Sequence, residues 1–216
     1  MTVDLSRYLV TDATQCAAAG RDVATTVAAA VAGGITAVQI REKHAEAGSF
    51  LDTVLAVARC LPDSVALFVN DRVDVYLAAR DRGAAVTGVH VGQTDLPVSV
   101  VRRIVGDTAV IGLSAATPTE LTPEATAGAD YLGIGVLRPT DSKPDAPPPL
   151  GVAGFARLAA LGRLPAVAIG GVTAADLPAL RAAGAAGGAV VSAVCTATDP
   201  RSAAAELTAA WQEADQ

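Results

Sequence analysis

Aromatic residues are scarce, at 3% of 216 positions. The interior therefore has to be filled by Ala, Val, Leu and Ile. Cysteine is equally sparse. Cys16, Cys60 and Cys195 are odd in number and show no CxxC spacing. Neither a disulfide framework nor a zinc site is supported, and free thiols in a reducing cytoplasm are expected. Excess positive charge is missing too. The net charge is −6, which disfavours nucleic acid and anionic membrane as partners, since both are bound by basic patches. Apolar runs are broken by Gly, Asp or Arg before they approach the ~20 residues a membrane span needs. The first residues show no basic start followed by an apolar core, so a secretory signal is not expected.

What is present suits a large aliphatic core. Hydrophobic residues make up 51% of the chain and charged residues 18%. The length fits one domain of the α/β-barrel class, which runs to about 200–250 residues. Short apolar runs recur along the sequence: Tyr8-Leu-Val-Thr-Asp12, Ala37-Val-Gln-Ile-Arg41, Ala66-Leu-Phe-Val-Asn70, Gly88-Val-His-Val-Gly92, Val110-Ile-Gly-Leu-Ser114, Tyr131-Leu-Gly-Ile-Gly135, Ala166-Val-Ala-Ile-Gly170 and Gly188-Ala-Val-Val-Ser192. They read as buried parallel strands. Helical patterns lie between them. One runs over residues 22–32 and stops at Gly33-Gly34; one covers 50–60 and stops before Pro62; one covers 97–105. Two more open at Thr117-Pro118 and Thr173, and a last one covers 200–213. Roughly eight strand–helix units predict a single (β/α)8 TIM barrel over residues 1–216. The Pro-rich stretch from Pro139 to Pro149 follows the sixth strand and reads as a loop on the catalytic face.

Active sites of such barrels lie at the C-terminal ends of the strands. Alternation on the second strand turns Val38 and Ile40 outward and Gln39, Arg41 and Lys43 inward. Polar side chains inside an apolar strand are costly without a purpose, and Arg and Lys suit phosphate. Asp71 and Asp95 close the third and fourth strands. They either cap the following helices or share a Mg²⁺ with phosphate oxygens. Ser114 ends the fifth strand. Thr140, Ser142 and Lys143 occupy the loop after the sixth. Gly170-Gly171 and Val191-Ser192 end the last two strands, where these barrels commonly bind phosphate. Two anion sites on one rim suit two phosphorylated substrates or one bisphosphate. His90 reads as a core histidine and His44 as a loop residue; neither is given a catalytic role.

Taken in order, these segments resemble the thiamine-phosphate synthase family across nearly the whole chain. Val38-Gln-Ile-Arg-Glu-Lys43 followed by Gly88-Val-His-Val-Gly-Gln93 is the specific part; Gly-Gly alone is not. The resemblance implies a transferase of thiamine biosynthesis. It would join 4-amino-2-methyl-5-hydroxymethylpyrimidine diphosphate to a thiazole phosphate, giving thiamine phosphate and pyrophosphate with the help of Mg²⁺. It implies that Gln39, Ile40, Arg41, Glu42, Lys43, Asn70, Ser114 and Lys143 bind the pyrimidine diphosphate, with Arg41, Lys43, Ser114 and Lys143 acting in catalysis. Asp71 and Asp95 would hold the metal. Thr140, Asp141, Ser142, Gly171, Val191 and Ser192 would bind the thiazole phosphate. Val136 and Arg138 depart from the family's pattern, which has Pro and an apolar or aromatic residue there. Partners are expected to be small phosphorylated molecules rather than nucleic acid or membrane, in the cytoplasm, with a homo-oligomer left open. The competing readings are a thiazole tautomerase on the same fold, which is expected to carry His where Ser114 stands, and a barrel that only binds such intermediates.

Overall fold

A computed structural model describes residues 3–140 and 148–213. Eight parallel strands close into a barrel in sequence order: β1 (Arg7–Val10), β2 (Ala37–Ile40), β3 (Ala66–Asn70), β4 (Gly88–Val91), β5 (Val110–Ala115), β6 (Tyr131–Gly135), β7 (Ala166–Ile169) and β8 (Gly187–Val190). All eight predicted strands are present, with ends shifted by one or two residues. Closure removes every sheet edge, and β1 pairs with β8 through Leu9 and Val190.

Helices cover the outside: α1 (Ala13–Ala18), α2 (Val23–Ala32), α3 (Ala47–Cys60), α4 (Val73–Asp81), α5 (Val98–Val105), α6 (Gly151–Gly162), α7 (Leu177–Ala182), α8 (Ser192–Cys195) and α9 (Pro200–Glu213). The Asp22 side chain caps α2 by accepting from the Thr25 amide at 2.7 Å. The helix expected at Thr117-Pro118 is corrected to a single 3-10 turn, Pro118–Leu121. Its capping box is complete, with Thr117 and Glu120 each satisfying the other's backbone. The turn ends because Pro123 forces Thr122 out of the helical region, to ψ 154°. Thr173 likewise opens a 3-10 turn, Ala174–Asp176, which then continues as α7.

Strand alternation divides the core in two. Outward residues such as Leu9, Val38, Ile40, Leu67, Val69, Val89, Ile111 and Leu132 pack under the helices. Inward residues form a separate cluster inside the barrel: Tyr8, Val10, Ala37, Ala66, Phe68, Tyr131, Val167 and Ala189. Three rings fill this interior. Phe68 and Tyr131 have centroids 5.5 Å apart, and Tyr8 lies 5.7 Å from Phe68. The chain is poor in aromatics, yet these are spent where eight small-residue strands converge and only a ring can fill the axis. Glycine makes room for them. A Cβ at Gly112 would fall 2.2 Å from the Tyr131 ring and 2.3 Å from His90 Nδ1.

Candidate active site

The C-terminal ends of the strands surround a cavity of about 580 Å³. Its floor is the top of the inward layer. Gln39 is only 4% exposed and donates from Nε2 to the Tyr8 hydroxyl at 3.1 Å. Next to it the chain leaves β2. The Arg41 amide donates to buried Thr11 Oγ at 3.1 Å, which ties the start of this loop to the end of β1. Arg41 and Lys43 both line the cavity, although regular strand structure stops at Ile40. Ser114 lines it from β5, with its Oγ 2.9 Å from His90 Nε2. His90 is a core histidine, 8% exposed, and also lines the cavity. Burial holds its imidazole well down, at about 4, against a smaller upward pull from Asp95, so the ring is neutral.

Asp71 and Asp95 face the same cavity. Neither caps a helix through its side chain, because the cap positions of α4 and α5 are Arg72 and Pro97 and neither helix has a side-chain cap bond. Asp71 instead occupies a left-handed turn at φ 60°, a conformation that Asp tolerates better than most residues. Its amide donates to the His90 carbonyl at 2.8 Å, pinning the turn to β4. Asp95 Oδ2 accepts from the Gly92 amide at 2.7 Å. Burial and then the Asp95 carboxylate push the Asp71 carboxyl up to about 6, while Asn70 and Arg41 pull the other way. Two acids held together under burial, with strained backbone beneath one of them, form a site short of positive charge. A hard divalent cation fits, since it is commonly held by one or two carboxylates with its other ligands from water and substrate phosphate. Among the described residues no group of three or more His, Cys, Asp and Glu is placed to hold a metal. The fit is therefore to a cation shared with substrate.

The opposite rim is built from backbone. Gly170 and Gly171 have φ 89° and 66°, and both line the cavity with Thr140, Val191 and Ser192. A Cβ at Gly171 would lie 2.8 Å from the Pro139 carbonyl oxygen, so the chain after β6 lies directly on this loop. Arg138 fastens the two together. Its amide donates to the Gly170 carbonyl at 2.9 Å, and its Nε donates to Asp176 at 2.9 Å. Asp176 is 2% exposed and also accepts from the Thr173 amide and hydroxyl at 3.0 Å each. Burial opposes its ionisation, but the Arg138 and Thr173 bonds prevail and hold its carboxyl below the usual range.

A family model described as thiamine monophosphate synthase matches residues 7–194. The chain belongs to the thiamine monophosphate synthase family. It is 46% identical over 190 residues to the thiamine-phosphate synthase of Corynebacterium efficiens, covering 87% of this chain and 88% of that one. It is 39% identical over 213 residues to the thiamine-phosphate synthase of Desulfitobacterium hafniense, covering 98% and 100%. Among solved structures, a thiamine phosphate pyrophosphorylase from Pyrococcus furiosus is 31% identical with a TM-score of 0.84, over 98% of this chain and 97% of that one.

For a member of this family, most residues singled out from the sequence meet in one place. Gln39, Arg41, Lys43, Asn70, Asp71, Asp95, Ser114, Thr140, Gly171, Val191 and Ser192 all line the cavity. Ile40 and Glu42 do not. Ile40 is fully buried in the outer core, on the face that strand alternation assigns to it. Glu42 is half-buried, and burial followed by the charge of Asp12 raises its carboxyl. Asp141, Ser142 and Lys143 lie outside the described residues. His90, Gln93, Thr117 and Glu120 line the cavity without having been assigned to it. For His90 the signal was available, since it shares the inward parity of Gly88 on β4. Gln93, Thr117 and Glu120 sit in connections, where parity gives no face.

Proposed function

We propose that this chain condenses 4-amino-2-methyl-5-hydroxymethylpyrimidine diphosphate with a thiazole phosphate to form thiamine phosphate and pyrophosphate, as a Mg²⁺-dependent transferase of thiamine biosynthesis acting in the cytoplasm. One observation carries the reading. A cationic pair and an acidic pair, Arg41 with Lys43 and Asp71 with Asp95, share one cavity whose far rim is the Gly170-Gly171 loop.

In the reaction, the bond between the pyrimidine methylene carbon and the diphosphate oxygen breaks. The electron pair leaves with pyrophosphate, and the thiazole nitrogen forms a new bond to that carbon. Asp71 and Asp95 would hold Mg²⁺, which would supply charge neutralisation for the diphosphate. Arg41 and Lys43 meet the same developing charge from the loop after β2 and bind the leaving group more tightly as it departs. Asn70 and Gln39 orient the pyrimidine half from the floor. Lys143 is assigned a third cation against the diphosphate, with Asp141 and Ser142 beside Thr140 on the thiazole side. Gly171, Val191 and Ser192 hold the thiazole phosphate at the opposite rim. Two substrates fixed face to face replace a bimolecular encounter, so no enzyme nucleophile is needed.

An isomerase reading has one observation in its favour, since His90 brings an imidazole to the corner that Ser114 occupies. That ring is bonded at both nitrogens and neutral. The two readings separate in one proton NMR experiment. With the thiazole phosphate alone, its spectrum is expected to stay unchanged; on adding Mg²⁺ and the pyrimidine diphosphate, thiamine phosphate should appear. Conversion of the thiazole alone, or no product with both substrates, refutes the synthase.

Arg138→Ala tests the far rim separately. Its side chain is 58% exposed but that of Asp176 is only 2% exposed, so removing Arg138 leaves a buried carboxylate with the Thr173 bonds alone, and the melting temperature should fall by about 2–12 °C. The KM for the thiazole phosphate should rise about three- to tenfold as the loop after β6 loosens from Gly170-Gly171. An unchanged KM would remove Arg138 from that role.

A further inference from the structure

A chain of buried hydrogen bonds crosses the barrel beneath the cavity floor. It runs from Gln39 Nε2 to the Tyr8 hydroxyl at 3.1 Å, then to the Tyr131 hydroxyl at 2.7 Å. From there it passes to His90 Nδ1 at 3.0 Å, and from His90 Nε2 to Ser114 Oγ at 2.9 Å. Its two ends, Gln39 and Ser114, both line the cavity. Of its three inner members His90 lines the cavity, and the two tyrosines do not. We propose that Tyr8 and Tyr131 are positioning residues for the reaction: their hydroxyls fix His90 with its proton on Nε2, which leaves the Ser114 hydroxyl hydrogen free to donate to an acceptor atom on the pyrimidine diphosphate.

The assignment follows from counting hydrogens. The Gln39 amide donates to Tyr8, so Tyr8 spends its own hydrogen on Tyr131. Tyr131 then spends its hydrogen on His90, and Nδ1 must be the bare acceptor nitrogen. A neutral imidazole carries one N–H, which is therefore on Nε2 and is donated to Ser114. Ser114 Oγ accepts that bond and keeps its hydrogen for the cavity. The reverse order needs the Gln39 carboxamide turned to accept, His90 protonated on Nδ1, and Ser114 spending its hydrogen on the ring. In that state Ser114 offers substrate only lone pairs. The two orders differ in what the enzyme presents to substrate, and the tyrosine pair decides between them.

The surroundings are built for this chain. All four floor members are buried, and every link needs its neighbour because an unpaired polar group at that depth is costly. Gly112 and Gly133 leave space where a Cβ would press on the His90 ring, at 2.3 Å from Nδ1 and 3.0 Å from Cε1.

The test has two arms. The chain carries two histidines, His44 and His90, so nitrogen-15 NMR of the histidine-labelled protein at neutral pH gives a simple spectrum. His90 should show its proton on Nε2, and Tyr131→Phe should give a mixture of the two tautomers. A proton on Nδ1 in the unmodified protein, or an unchanged tautomer in Tyr131→Phe, overturns the proposal. This arm reads the resting protein and does not depend on the synthase reading; the kinetic arm does. There, Tyr131→Phe should lower kcat about tenfold with the KM for the pyrimidine diphosphate changed less than about twofold. Combined with Ser114→Ala, it should cost nothing beyond Ser114→Ala alone. Additive losses in the double variant would reduce Tyr131 to a packing residue. If Tyr131→Phe does not fold, Tyr8→Phe removes the donor to Tyr131 instead, which frees the Tyr131 hydroxyl to accept from Nδ1 as well as donate to it; the second tautomer should again appear, and its absence overturns the proposal.

Discussion

Arg41→Ala and Asp71→Asn are each expected to lower kcat/KM for thiamine phosphate formation by roughly a hundredfold to a thousandfold, the usual cost of losing one preorganised charge at a transition state. The two losses arise differently. On the proposed reading Arg41 meets the diphosphate directly, so its removal should weaken ground-state binding as well as turnover. On the same reading Asp71 acts through a cation it would share with Asp95. In Asp71→Asn the apparent Mg²⁺ requirement should therefore climb, and added Mg²⁺ should recover part of the rate. Asn is the better replacement because the residue sits at φ 60°. Asn accepts that conformation, whereas Ala adds about 1–2 kcal/mol of backbone cost and confounds the result. Asp71 is held beside a like charge under burial, so neutralising it should leave the melting temperature unchanged or raise it. This is the trade expected when a site is strained for function. Steady-state kinetics with a Mg²⁺ titration, alongside thermal unfolding, checks all of this. Near-normal rates in either variant would remove that residue from the diphosphate site.

Gly112→Ala should be strongly damaging in the barrel interior. The added Cβ would lie 2.2 Å from Tyr131 Cζ, 2.3 Å from His90 Nδ1 and 2.4 Å from the Tyr131 hydroxyl oxygen. Neither ring can retreat, because Tyr131 packs against Phe68 and Tyr8, and His90 is tied at both nitrogens. Overpacking costs about 1–3 kcal/mol, and breaking a buried hydrogen bond adds about 1–3 kcal/mol. A total near 4 kcal/mol lowers the melting temperature by about 8–16 °C in a chain of this size. Gly48→Ala is the control. It lies in α3 with nothing within 4 Å of the added carbon, so helix propensity alone should leave stability level or raise it by up to about 1 kcal/mol. Equal effects of the two substitutions would contradict the packing described for the barrel interior.

Much of this architecture was legible before any coordinates. Eight short β-branched runs bounded by Gly or polar residues can hardly pack except as buried parallel strands. The inward turn of Gln39 and the outward turn of Ile40 follow from strand parity alone. What escaped was set by contacts distant in sequence. α4 and α6 carry no strong stop or start signal: α4 opens after a left-handed Asp71, and α6 follows a proline run. The helix read at Thr117 fails because Pro123 acts from outside the local capping pattern. Within the site, cations and carboxylates announced themselves as polar residues at strand ends. The tyrosine chain did not, because Tyr8 and Tyr131 look like ordinary core residues until closure of the barrel places β1 and β6 on opposite sides of one interior. Arg138 is a similar case. Its place after β6 gives no hint of a partner, and only its bond to buried Asp176 explains what it does there.

The central claim is that a diphosphate sits between Arg41 with Lys43 on one side and a cation on Asp71 and Asp95 on the other. Calorimetric titration of pyrophosphate into the whole protein, with and without Mg²⁺, measures this without needing turnover. Binding should be at least tenfold tighter with Mg²⁺, and at the same Mg²⁺ concentration that gain should shrink severalfold in Asp71→Asn. Pyrophosphate binding equally well without Mg²⁺, and undisturbed in Asp71→Asn, would contradict the account.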